Sequence, residues 1–508
     1  MKNDIARNSL IAVAAAFAVA GCADLGRSVT PKYLTIGPDY EEPKMVVSAD
    51  TLMPPDAGYP TTNKTATGEF APAPAAEDPR VEITAEALSK WWERFADPTL
   101  ANLIDSALSN NLSFLMAEKR LEAARWGYAA SVGALMPHVT AAGAATRAQY
   151  WPNTSTGSSS RRIVHRDLYR AGFDMSWEID LFGGSRREVE QAQASWESAE
   201  CSLEDAWVTL TAEIGRSYIE LRTIQERLDV ARTNLAIQTE TYDILKSRLD
   251  SGIGDELAVN QAKYNVEQTR ATIPNLLTQE ESYKNAIAIL AGVMPGTLHE
   301  YLAPETERDW VTAPQKIGEI PLDAMRARPD IRAAERALAA QVAAVGVAKS
   351  LLFPKLYLNG TIGLESLHAK KFLRRDSLYT SIGPSISWPI FQGGRLYANF
   401  KAEEAKMNEA CLRYELALQK AFEETRNAYS AYTQEYHKYQ SLQGAVKAAK
   451  DAENIAQDLY KNGLSDFNNV LDAQRSLLTL SEALTISRGN ITVKLIALYK
   501  ALGGGIAR

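Results

Sequence analysis

Few residues of this 508-residue chain are spaced for chemistry. The five histidines, at positions 138, 165, 299, 368 and 437, are scattered, and no HExxH, CxxC, GxGxxG or phosphate-loop pattern occurs. Aspartate and glutamate are abundant, but they fall on long helical runs where a charged residue forms a solvated face. No carboxylate pair stands out as a general acid and base in a pocket, so the residues point to no enzyme, no metal and no cofactor. Two charged arrangements carry chemistry of another kind. Asp174, Ser176, Glu178 and Asp180 recur at every second position, which builds a surface for water and ions. Asp472 and Arg475 lie three apart, so they share a helical face and can pair. An exposed pair of that type contributes only ~0–1 kcal/mol. Copies of Asp472 brought close together would attract cations, and their mutual repulsion would raise the pKa of some members.

The element that holds the first arrangement alternates throughout. Tyr169, Ala171, Phe173, Met175, Trp177, Ile179 and Leu181 take one parity, and Arg170, Gly172, Asp174, Ser176, Glu178 and Asp180 take the other. A period of two puts the apolar side chains on one face of a strand and the polar ones on the opposite face. Gly183-Gly184 breaks the pattern. Residues 186–250 then contain no proline and only one glycine, Gly215. A helix of that length would run about 95 Å, against ~30 Å for a small domain. A strand with one apolar face, joined to so long a helix, points to a membrane barrel with a long helical extension.

The same layout occurs twice. A second alternating run at 378–390 is followed by Gly393-Gly394 and a proline-free helical run to about 462. Pro137 matches Pro354, Trp177 matches Trp388, Cys201 matches Cys411, and Gly292 matches Gly503, with offsets of 210 to 217 residues. This is a duplicated unit. Repeat 1 is expected over 86–292, with strands at about 138–182. A linker carrying Pro295, Pro304 and Pro314 spans 293–320, and repeat 2 spans 321–508, with strands at about 355–392. Helical runs are expected from Leu100 to Leu135 and to about Ala291, with Pro274 a kink or local break in the latter.

Residues 1–21 read as a secretory signal peptide: Lys2 and Arg7 precede an apolar run too short to span a bilayer. The run ends in Val19-Ala20-Gly21-Cys22, which resembles a lipobox, so Cys22 is expected to carry a covalent lipid, palmitate included. Ala23 rather than Asp follows it, which implies outer-membrane sorting. Cys201 and Cys411 lie in helical runs without a close partner. Residues 22–85 form a proline-rich, polar extension suited to a tether. The net charge of −7 argues against a nucleic-acid partner.

No later stretch is apolar for 18 residues, so any membrane span must be built of strands. Two strands per repeat give four per chain. Four cannot close a barrel, and an open sheet would leave unpaired edges in lipid. Chains must therefore associate to close it.

Several motifs are shared with a known family. Gly37-Pro38-Asp39-Tyr40, residues 91–104, the two Gly-Gly pairs and residues 470–475 (VLDAQR) resemble the TolC/OprM-like outer membrane efflux proteins, and among them the NodT-type lipoproteins. The resemblance covers nearly the whole mature chain. It implies a mainly α fold with a membrane β-barrel portion: a homotrimer with one twelve-stranded barrel, joined to a periplasmic α-helical barrel. It implies a passive exit duct of a tripartite system for small molecules, with a periplasmic adaptor, an inner-membrane RND-type pump and outer membrane lipid as partners. The tips that meet the adaptor would be Gly252, Ile253, Gly254 and Asp255 in one repeat and Gly463, Leu464, Ser465 and Asp466 in the other. The periplasmic gate would involve Asn469, Asp472 and Arg475, with Asn469 standing where a second acid is expected. Alternatives are a type I secretion-like duct for polypeptides, or a lipid-anchored periplasmic coiled-coil scaffold, which leaves the alternating strands unused. Arg161, Arg162 and Arg166 in one hairpin loop, and Lys370, Lys371, Arg374 and Arg375 in the other, would suit lipopolysaccharide phosphates if those loops face outward.

Overall fold

The structure is a computed structural model that describes residues 36–41, 89–150, 164–304, 325–462 and 464–504. The chain divides into two compact units. Among the described residues, one unit comprises 36–41, 126–150, 164–194 and 339–409, and the other comprises 89–125, 195–304, 325–338, 410–462 and 464–504.

The first unit holds a four-stranded antiparallel sheet in the order β1-β2-β3-β4, with β1 at His138–Tyr150, β2 at Val164–Ile179, β3 at Lys355–Ser366 and β4 at Leu378–Ser387. The central β2–β3 pairing joins the two repeats, as in Phe173 opposite Ile362 and Trp177 opposite Leu358. β1 and β4 each have one neighbour in the chain. Each repeat secures the foot of its hairpin in the same way. Trp177 Nε1 donates to Leu135 O (2.9 Å), and Trp388 Nε1 donates to Leu352 O (3.2 Å). Both acceptors lie two residues before the proline that precedes the hairpin.

Two expectations for the strands are corrected. β4 ends at Ser387 rather than near Ile390, because Pro389 has no N–H to donate and Trp388 turns its indole to Leu352. Asp180 lies beyond β2 and does not join its polar face. Its Oδ2 accepts from Arg186 N (2.9 Å) and so caps the start of the following helix.

Residues 36–41 are bound to this unit by the motif noted above. Ile36 N donates to Phe182 O (3.1 Å). Gly37 has φ +118°, and a Cβ there would come within 2.6 Å of Gly346 Cα, so only glycine fits on both counts. Asp39 accepts from the buried Arg187 (2.5 Å), which also pairs with Glu190 (2.7 Å).

The second unit is helical. In chain order the helices are α1 at Pro98–Asn110, α2 at Leu112–Gly133, α3 at Gly184–Asp250, α4 at Glu256–Leu290, α5 at Pro329–Ser350, α6 at Arg395–Lys461 and α7 at Phe467–Ala501. Several of these begin or end in the first unit. The duplication is visible in their lengths. α3 and α6 have 67 residues each, and α4 and α7 have 35 each.

The helix expected over 100–135 is two helices. Asn111 Oδ1 accepts from Phe114 N (2.9 Å) to cap α2, and its Nδ2 donates to Leu290 O (2.9 Å). Pro274 does not break α4, which is helical on both sides of it. Ile273 and Leu276 pack with Ile224, Leu228 and Ala231 of α3, and this holds the helix through the lost hydrogen bond.

The largest core cluster surrounds Trp91, which is fully buried. Its ring stacks on Tyr499 (centroids 6.0 Å apart) and meets Trp92 and Phe95 edge-on. Gly215, in the interior of α3, faces it: a Cβ there would lie 2.5 Å from Trp91 Cη2. Glycine inside a helix costs roughly 1 kcal/mol relative to alanine. Here it makes room for an indole whose burial returns more, roughly 1.5–3 kcal/mol for a large apolar side chain.

Candidate functional site

The polar face of the sheet is cross-linked in register. Thr361 Oγ1 donates to Asp174 Oδ1 (2.8 Å) from the residue directly opposite. Ser176 Oγ donates to Asn359 Oδ1 (3.0 Å), and Asn359 Nδ2 donates to Ser385 Oγ (2.8 Å). Arg170 approaches the same aspartate (3.3 Å), and Lys355 pairs with Glu178 (2.9 Å). Ser176 and Asn359 remain exposed. The opposite face presents Val139, Phe173, Ile362, Ile382 and Ile386, all exposed. A sheet with one ladder of hydrogen-bonded polar side chains and one open apolar face is built to divide water from lipid.

In the helical unit, the turn after α3 is a Schellman cap. Ile253 N donates to Arg248 O (3.1 Å) and Gly252 N to Leu249 O (2.9 Å), with Gly252 at φ +77°. Gly254 lies so close over Leu249 that no side chain fits there. Asp255 caps α4 through Leu257 N (3.0 Å). The turn after α6 repeats the first of these bonds, from Leu464 N to Leu459 O (2.9 Å). Gly463 lies outside the described residues, as do Cys22, Arg161 and Arg162. Asp466 precedes α7 without a side-chain cap bond. Ile253 and Leu464 are 79% and 75% exposed. Behind the two turns Leu245, Ala258, Phe467, Val470 and Leu471 form a small core. This core lies beneath both turns, while Ile253 and Leu464 project into solvent.

The exposed Asp472–Arg475 pair read from the sequence is present, with Arg475 Nη1 3.6 Å from Asp472 Oδ1 and Asp472 75% exposed. The same guanidinium also directs Nε (3.0 Å) and Nη2 (2.8 Å) at Asn265 Oδ1 of α4 and lies over the Tyr264 ring. Asn469 Nδ2 donates to Ser465 Oγ (2.8 Å), which ties it to the turn rather than to Asp472. Beside Asn265 a cavity of about 540 Å³ opens between α3, α4 and α7. At its far wall Arg227 of α3 pairs with Glu482 of α7. Asn265 and Tyr264 were not singled out from the sequence, although the repeat offset places them in α4 where Arg475 lies in α7.

Among the described residues no group of three or more His, Cys, Asp or Glu side chains could hold a metal, and no helix is long and apolar enough to cross a membrane. Cys201 and Cys411 are free thiols.

Known proteins share this architecture. The structure of the outer-membrane channel OprN superposes with a TM-score of 0.81 at 32% identity, covering 93% of this chain and 99% of that one. Nodulation protein T of Rhizobium leguminosarum bv. viciae is 31% identical over 421 residues, 83% of this chain and 85% of the relative. The solvent efflux pump outer membrane protein SrpC of Pseudomonas putida is 30% identical over 426 residues, 83% of this chain and 88% of the relative. The family described as outer membrane efflux protein matches residues 103–293 and 321–504, one segment in each repeat. With both halves of the duplication covered and the two-faced sheet in place, the chain belongs to the outer membrane efflux protein family.

Proposed function

We propose that three copies of this chain close one barrel of twelve strands and serve as a passive exit duct for small molecules leaving the periplasm. The observation that carries this reading is the four-stranded sheet. It has a polar ladder on one face, apolar side chains on the other, and a single neighbour for each of β1 and β4. Unpaired strand edges are not viable in lipid, so β1 of one copy pairs with β4 of the next. The chain carries no energy-coupling motif, so a pump in the inner membrane drives export through a periplasmic adaptor. That adaptor meets the turns at Ile253 and Leu464, and the mouth narrows at Asp472 and Arg475. A lipid on Cys22 tethers the amino-terminal extension to the outer membrane.

The test uses the full-length protein purified in detergent. Cysteines placed at Ala144 on β1 and at Ser381 on β4 should give a disulfide-linked ladder ending at three chains. Planar-bilayer recording should show a pore. A ladder ending at two, or protein that never conducts even with its mouth residues replaced, would sink the reading.

A further inference from the structure

The β3–β4 connection, residues 367–377, is a built surface. Consecutive tight turns shape it: Lys371 N donates to His368 O, Phe372 N to Ala369 O, Arg374 N to Lys371 O and Ser377 N to Arg374 O, all at 3.0 to 3.2 Å. The buried Ser377 closes the loop by donating Oγ to Lys371 O (2.8 Å). Four cations, Lys370, Lys371, Arg374 and Arg375, are exposed on this frame. Asp376 is adjacent, yet none of the four makes an ion pair among the described residues. Asp167, near the same end of β2, is held by a bidentate bond from Arg147 (2.7 and 2.8 Å) and is not available to them. At the middle of the cations Leu373 is 85% exposed, beside a half-buried Phe372.

Within this unit every helix joins the sheet at the end opposite the hairpin loops. No described helix is long and apolar enough to cross a membrane, and on the function proposed above the helices lie on the periplasmic side, so the loop end lies at the outer leaflet.

The geometry points to a docking surface for a phosphorylated glycolipid of the outer leaflet. The two basic pairs would grip its phosphates while Leu373 enters the apolar layer between them. Arginine suits bidentate phosphate contact and lysine a point charge. Cations flanking an apolar side chain match an interface where phosphate and acyl chain meet. A free phosphate would have no use for the exposed leucine. Because the loop is already shaped by its turns, little ordering entropy opposes binding. Lipid docking at this loop is independent of the molecule that passes through the duct.

The experiment measures binding of bisphosphorylated lipid A, of the same lipid stripped of phosphate, and of phosphatidylcholine to the full-length protein in detergent, by native mass spectrometry. The parent should hold bisphosphorylated lipid A through added inorganic phosphate and bind the other two weakly. The variant K370Q/K371Q/R374Q/R375Q should bind it at least ~10-fold more weakly, since each surface cation near anionic lipid contributes a few-fold or more. K447Q/K450Q, with two exposed lysines of α6 replaced, should bind as the parent does. If the fourfold variant fails to assemble, K370Q/K371Q and R374Q/R375Q should each show a partial loss. Undiminished binding by the loop variants, equal binding of the dephosphorylated lipid, or displacement by inorganic phosphate alone would overturn the proposal.

Discussion

Arg475 of α7 places two nitrogens on one oxygen of Asn265 of α4, at 3.0 and 2.8 Å, and leaves Asp472, its neighbour on the same helix, 3.6 Å away. A hydrogen bond to a charged group contributes roughly 1.5–3 kcal/mol. An exposed ion pair contributes ~0–1 kcal/mol. The link that holds α7 against α4 at this level is therefore the Arg475–Asn265 bond. Arg475→Ala and Asn265→Ala should each raise single-channel conductance and sensitise cells to large antibiotics. The double variant should add little to either, since both remove the same bond. Asp472→Ala should have a smaller effect. Additive effects of the first two would show that they act through separate contacts, and unchanged conductance at constant protein abundance would place the constriction elsewhere.

Ile253 and Leu464 are exposed apolar residues on turns whose backbones are fixed by matching hydrogen bonds. A cap alone has no need of either side chain. Leu464→Asp should abolish site-specific crosslinking to the adaptor in cells while the protein reaches the outer membrane in normal amount. Equal loss of crosslinking and of abundance would make the turn a folding element only.

The contact between Gly215 and Trp91 has a consequence for stability. Gly215→Ala would ordinarily favour a helix, but its methyl would collide with a buried indole. Overpacking of this type costs about 1–3 kcal/mol. The expected result is a lower midpoint in thermal unfolding followed by Trp fluorescence. Partial rescue is expected from Trp91→Phe in the same chain, because the smaller ring leaves room for the methyl. Gly215→Ala more stable than the parent would refute the packing account.

Much of this was legible because the periods are physical. Strand alternation at 169–179 survives in the sheet because a one-residue slip would bury Asp174 in lipid and wet Phe173. The long helices were legible from the absence of proline over 67 residues. The misses have local causes. Asn111 lies inside an amphipathic run, and only its two side-chain bonds turn it into a helix boundary. Asp180 keeps the strand's parity but serves the next helix, because a free backbone N–H at Arg186 lies within its reach. Asn265 was not singled out because the repeat offset relates its position to Arg475 without showing that the two side chains meet.

His299 provides a test by pH. Its Nε2 lies 2.7 Å from Glu281 Oε2, and its Nδ1 lies 2.9 Å from Gly296 O. These bonds fasten residues 296–299 to α4. The Glu281 carboxylate, with the Gly296 carbonyl, raises the His299 pKa above the ordinary imidazole value, and His299 in turn lowers that of Glu281. The folded chain thus holds the proton more tightly than the unfolded one. The stabilisation from His299 is fully present below the ordinary imidazole value of about 6.5. It is lost as pH rises through the raised folded value. Glu281 contributes the other limb: its lowered pKa gives stability above the ordinary carboxylate range that is lost as pH falls through the folded value. Lys284, one turn beyond Glu281, opposes protonation of the imidazole and narrows the upper window. Amide hydrogen exchange at 296–302, corrected for its intrinsic pH dependence, should be slowest between the two limits and should quicken at alkaline pH. In His299→Gln, which has no proton to lose in this range, the alkaline rise should vanish. An alkaline rise that persists in the variant would show that another group loosens this turn.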